Sequence, residues 1–190
     1  MPLPKPAPRK LAHTRTVTCR GYQRDDGLWD IEGHLQDTKP FSFPHQARGG
    51  AIEAGEPIHE MWIRITIDSE FTVHDAIAVT DWSPYQVCPA ATDGFRQLVG
   101  LQIGPGWTRN VKDRLGGIKG CTHLTELLGP VATTAFQTLW PFREAQERTN
   151  THRKRPPIID TCHALRSDGA VVASQWPQFH RPSGDLDEAS

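Results

Sequence analysis

The chain has 190 residues, of which 37% are apolar, with 21 basic against 22 acidic side chains and a formal charge of −1. That is enough to bury one core and too little for two comparable domains, and the charge balance gives no reason to expect a nucleic-acid partner. The opening residues are basic and proline-rich with no apolar run behind them, so neither a signal peptide nor a membrane anchor is expected. A cytoplasmic location follows, in which Cys19, Cys88, Cys121 and Cys162 stay reduced and serve as metal ligands, reactive thiols or buried thiols.

Residues 1–12 read as a disordered basic tail and residues 181–190 as a second one, leaving a single α+β domain over residues 13–180. Residues 14–24 and 28–38 are strand-like, and Asp25-Asp26-Gly27 between them signals a hairpin turn. On the second arm Trp29, Ile31 and Gly33 share one face, while Asp30, Glu32 and His34 share the other. Residues 41–56 are broken by Pro44, Gly49, Gly50 and Gly55 and read as a loop. The alternation His59, Met61, Ile63, Ile65, Ile67 is the clearest strand signal in the chain, and residues 71–80 return from it as a second antiparallel hairpin. Short helices are expected over residues 95–99 and 111–115. A longer one begins at Thr122, where Leu124, Leu127, Leu128, Val131, Ala135, Phe136 and Leu139 recur at helical spacing. Pro130 should kink or restart it. The fold class is therefore α+β, an antiparallel sheet of about four strands from two hairpins packed against C-terminal helices.

Chemistry is expected around Gly120-Cys121-Thr122-His123-Leu124, where a thiol and an imidazole meet a helix start. With Thr122 as the N-cap, the free amides and the dipole of the helix favour a thiolate at Cys121, and His123 becomes a ligand or a base. Cys88 follows a strand-like run, and His59 opens a strand antiparallel to it, so both can reach one sheet edge. His59, Cys88, Cys121 and His123 are donor types suited to zinc or iron. Asp26, Asp30, Glu32 and Asp37 line the first hairpin. Asp30 and Glu32 are candidates for acid-base work, although a solvated face explains them better. Cys162 and His163 form a second thiol-imidazole pair after a basic, exposed connector over residues 149–155. Six tryptophans are available to wall a pocket or fill the core.

The strings Asp26-Gly27-Leu28-Trp29-Asp30-Ile31-Glu32-Gly33, Pro57-Ile58-His59-Glu60-Met61, Leu98-Val99-Gly100 and residues 120–124 resemble a bacterial family known as domain of unknown function 2889. That resemblance implies no activity. More distantly, the order of strands, Cys88, helices, Cys121 and long helix is similar to the NifU/IscU/SufE-type iron-sulfur scaffolds. This likeness puts His59 at the place of a scaffold aspartate and Pro57 at that of a scaffold cysteine. Cys88 and Cys121 then take the places of the second and third cysteines, with Val87 where a glycine is usual. With one cysteine missing, the resemblance implies a mononuclear zinc or iron site rather than an assembling cluster.

Three functions follow from the residues. The first is a metal-binding protein using His59, Cys88, Cys121 and His123. The second is an enzyme on a small organic or acyl substrate, with Cys121 and His123, or a metal-activated water with Asp30 or Glu32, in the catalytic roles. The third is an accessory module whose thiols are structural. A small-molecule partner fits the first two, and no membrane partner is expected. No residue speaks to oligomeric state.

Overall fold

The structure, a computed structural model, describes residues 3–147 and 155–182. The chain forms two compact units, Met1–Arg143 and Glu144–Ser190. Most of the connector expected over residues 149–155, and the tail from residue 183 onward, lie outside the described residues.

The first unit is built on a four-stranded antiparallel sheet, β1 (Thr14–Gln23), β2 (Trp29–Thr38), β5 (His59–Ile67) and β6 (Val73–Trp82), in the order β1-β2-β5-β6. Both anticipated hairpins are present. Gly27 closes the first with φ 84°, a backbone conformation that a side chain would strain. Residues expected to be loop hold a small second sheet, β3 (Phe43–His45) and β4 (Gly50–Ile52), joined by a 3-10 turn. Three-residue strands separated by glycines carry too short an alternation to be seen in sequence.

Alternation decides which face is core. The side chains of Trp29, Ile31, Leu35 and Asp37 on β2, and of Met61, Ile63, Ile65 and Ile67 on β5, point inward and are buried. Against them pack α1 (Trp107–Leu115) and α2 (Thr122–Glu147), the second through Leu124, Leu127, Leu128, Val131, Ala135 and Leu139. Residues 95–99, expected as helix, form a 3-10 helix Asp93–Leu98 that buries Phe95 and Leu98. α2 runs on through Pro130 and Pro141 as one element with no restart. Thr134 Oγ1 donates to the Pro130 carbonyl at 2.9 Å, and Thr138 Oγ1 to that of Thr134 at 2.8 Å. Such back-bonding adapts a helix to local irregularity.

Two glycines set how closely α2 approaches. A Cβ on Gly33 would stand 2.7 Å from Val131 Cγ2 and 3.0 Å from Leu127 Cγ, and one on Gly21 would stand 1.9 Å from Thr138 Oγ1. Near the far end of β2, Trp29 meets Phe142 with ring centroids 4.6 Å apart. The helix thus follows β2 backwards. Its rise from His123 to Phe142 is about 28 Å at 1.5 Å per residue, matching about 27 Å of strand from Asp37 back to Trp29. The first turn of α2 therefore sits over the Asp37 end.

In the second unit Asp160, with φ 69°, accepts the Ser167 amide at 2.7 Å and pairs with Arg155, ordering a turn ahead of α3 (Ala170–Gln175).

Substitution at the two kinds of glycine should act in opposite directions. Gly33→Val forces helix and sheet apart and is expected to cost about 1–3 kcal/mol in urea unfolding. Gly129→Ala, on an open face of α2 where an added Cβ meets nothing within 4 Å, should gain up to about 1 kcal/mol.

Candidate functional site

Across the sheet Arg15 pairs with Asp37 and Asp37 with His59, so the three inward side chains form one row over β1, β2 and β5. The next row inward is Val17, Leu35, Met61 and Thr80. α2 begins above these two rows. Thr125 donates its amide to the Cys121 carbonyl at 2.9 Å, which makes Cys121 the cap and Thr122 the first helical residue, one position earlier than its side chain suggested.

Asp37 is the centre of the polar row and is only 1% exposed. Arg15 grips it from Nε to Oδ1 and from Nη2 to Oδ2, both at 2.8 Å. His13 Nε2 lies 3.1 Å from Oδ1, and His59 Nδ1 lies 3.0 Å from Oδ2. Burial opposes the charge on Asp37, but the Arg15 hydrogen bonds and charge, with His13 and His59, outweigh it and bring the carboxyl down to about 2. Arg15 also reaches Glu126 on α2 through Nη1 at 3.0 Å, tying strand to helix.

His59 and His123 face each other with ring centroids 3.8 Å apart and planes tilted by 31°. Burial lowers the pKa of both. At His59 the neighbouring His123 adds to that, against the pull of Asp37, and at His123 Arg15 adds to it, against Asp37 and Glu126. Both shifts favour the neutral ring, which has a lone pair to donate. Donor atoms of Asp37, His59 and His123 all lie within 4.8 Å of one another. Cys121 Sγ is 4.0 Å from His123 Nδ1 and donates to Met61 Sδ at 3.8 Å.

The structure thus sets His59 against His123 and Cys121 beside His123, gives Asp37 of the first hairpin a central place, and adds Arg15, His13 and Met61. Cys88 opens a 3-10 helix, Cys88–Ala91, because β6 stops at Trp82, short of Pro84, and neither Cys88 nor Cys121 is among the donors that lie within 4.8 Å of one another. Asp30 and Glu32 occupy the opposite face of β2, where Asp30 accepts from Thr66 Oγ1 at 2.6 Å and Glu32 lies 4.0 Å from Arg64. On that face His34 stacks on Trp62 at 3.7 Å. Trp29 and Trp107 are core residues, whereas Trp62 and Trp82 are exposed. Cys19 packs against the core, and burial pushes its thiol up against a hydrogen bond from Thr134. Cys162 is exposed in the second unit. The signal for Asp37 was present in the alternation that begins at Trp29. Its partners lie on other strands, and the sequence does not order them.

The model of DUF2889, a family of proteins of unknown function, matches residues 13–137. The chain belongs to this family. The DUF2889 match contains every residue of the row, the two facing imidazoles, Cys121 and Met61, and it stops before Cys162. No curated protein and no solved structure matches the chain, so the resemblance to iron-sulfur scaffolds gains no support from a structural neighbour. Among the described residues no helix is long and apolar enough to cross a membrane.

Asp37→Asn leaves the Arg15 guanidinium and two imidazoles around a neutral amide. It should cost about 1.5–3 kcal/mol in urea unfolding, the range for lost hydrogen bonds to a charged group, since Arg15 is partly exposed and keeps Glu126, while Asp30→Asn on the outer face should cost under about 1 kcal/mol.

Proposed function

We propose that the protein binds one transition-metal ion at the end of the sheet, with His59, His123 and Cys121 as ligands. The observation that carries this reading is the pair of half-buried imidazoles with ring centroids 3.8 Å apart, one of them 4.0 Å from a thiol. Asp37 is the partner that orients His59. Its two oxygens already accept four hydrogen bonds, and a carboxylate on Nδ1 presents the other ring nitrogen, Nε2, to a metal. Donors of this kind suit zinc or iron, and they need the reducing cytoplasm to keep Cys121 a thiol. Three protein ligands leave a position open for water or substrate.

The contact between Cys121 and His123 also favours a second reading, in which Cys121 is a nucleophile activated by the imidazole and the α2 N-terminus. Iodoacetamide separates the two. Rapid labelling of Cys121 in protein as purified supports the nucleophile, and protection relieved by a chelator supports the metal.

Elemental analysis of protein purified without oxygen should find about one transition-metal ion per chain, reduced at least about tenfold in occupancy by His123→Ala or Cys121→Ser. Cys88→Ser should keep it. A folded, metal-free wild-type protein that takes up no added ion would overturn the proposal and leave the thiols structural.

A further inference from the structure

The four-stranded sheet ends on two edge strands, β1 and β6, and the two differ. On β6, Val73 donates its amide to the Leu101 carbonyl and accepts the Gly100 amide, both at 2.8 Å, and next to it Thr72 bridges to Gln102. The pairing of β6 with β5 also shifts register near each end. Covering and irregularity of this kind keep an edge from pairing with another chain. β1 has neither. Its ten residues pair with β2 without a register shift, contain no proline or lysine, and include no buried residue.

Which backbone groups of β1 are free follows from its hairpin. Arg24 donates its amide to the Leu28 carbonyl at 2.9 Å and accepts the Gly27 amide. Ladder bonds in an antiparallel pair fall on every second residue. Tyr22, Arg20, Thr18, Thr16 and Thr14 therefore bond to β2, while the N–H and C=O groups of Arg15, Val17, Cys19, Gly21 and Gln23 point away from the sheet. Among the described residues none of these outward groups has a hydrogen-bond partner. Their positions are symmetric about Cys19. We infer that β1 pairs antiparallel with β1 of a second copy about a two-fold axis at Cys19, joining two sheets of four strands into one. That register sets Arg15 against Gln23, Val17 against Gly21 and Cys19 against its own counterpart, so every outward group finds a partner.

The side chains favour a second copy as the occupant. On the outer face the same register sets Thr18 against Arg20 and Thr16 against Tyr22, with no like charges opposed. An axis at Arg20 would set two guanidinium groups against each other, and an axis at Thr18 would leave Gln23 opposite His13, outside the strand. Val17 and Tyr22, 42% and 43% exposed, are the large apolar side chains that the junction covers. On the inner face Val17 comes over Gly21 of the second copy, a position with no side chain of its own, beside the Thr138 that crowds it. A strand that complements itself about its own centre fits a copy of itself, which is the interface of a two-fold dimer. The inference does not depend on the metal site.

The test measures the mass of the full-length protein by sedimentation equilibrium from about 1 to 100 µM, with reductant present to exclude a Cys19 disulfide. The wild type should pass to a mass of two chains. Val17→Pro should raise the dissociation constant at least about thirtyfold, since each copy loses an amide that the dimer uses. The Val17 amide points away from β2, so proline there leaves the hairpin ladder intact, and circular dichroism checks the fold. Hydrogen exchange gives a readout that needs no substitution. In the wild type the amides of Val17, Cys19 and Gly21 should slow at least about tenfold between dilute and concentrated protein, while those of Thr16, Thr18 and Arg20, bonded to β2, are slow in both. A wild type that stays monomeric over this range overturns the inference. So does a folded Val17→Pro that dimerises as the wild type does, or a dimer whose Val17, Cys19 and Gly21 amides exchange as fast as in the monomer.

Discussion

The approach of α2 to the sheet at Gly33 determines where everything else in the first unit falls. A strand position without a side chain lets Val131 and Leu127 settle against the backbone of β2, and Gly21 repeats the arrangement under Thr138 on β1. With those two points in place the helix can lie only along β2, and its length brings its first turn to the Asp37 end. Glycine in a strand sacrifices packing and backbone entropy. Here that loss is offset by helix contacts that no side chain at those positions would allow. The donor group is a consequence of this docking, because Cys121 and His123 belong to the helix whereas His59, Met61 and Asp37 belong to the sheet.

Asp37 performs the complementary task within the sheet. A carboxylate at 1% exposure is tolerated only if its charge is answered, and Arg15, His13 and His59 answer it across two strand junctions. Those contacts leave its oxygens saturated, which is why Asp37 reads as the group that fixes a ring rather than as a ligand of its own. Arg15 extends the same network to Glu126, so the charge that stabilises the row also holds the first turns of α2 in position. Positioning and stability are therefore carried by the same side chains.

Much of this was legible from periodicity. The His59 to Ile67 alternation, the Asp25-Asp26-Gly27 turn and the helical spacing after Thr122 each express a local rule, and each element formed close to where its pattern lies. The meeting of His59 with His123 was accessible in outline, since a strand start and a helix start that share a sheet edge are constrained by topology. Cys88 was less so. Its strand-like run ends at Trp82, and the residues beyond Pro84 turn into a 3-10 helix. Asp37 was visible as a carboxylate on the first hairpin but not as the centre of a row, because cross-strand partners depend on register between segments far apart in sequence. The small sheet of β3 and β4 was hidden for the opposite reason, as three residues are too few to show a period.

Met61 illustrates the limit most sharply. In sequence it continues an apolar alternation, and every physical argument for its burial as a core residue holds in the structure, where it is 1% exposed between Leu35 and Thr80. What the sequence lacks is the distance to Cys121, which the docking of α2 alone supplies. A thiol beside an apolar core would ordinarily be inert. The same thiol lies between a thioether and an imidazole nitrogen, 3.8 Å and 4.0 Å away, and its one proton can be donated to only one of them at a time. The reactivity of Cys121 therefore depends on a pairing of groups from distant parts of the chain.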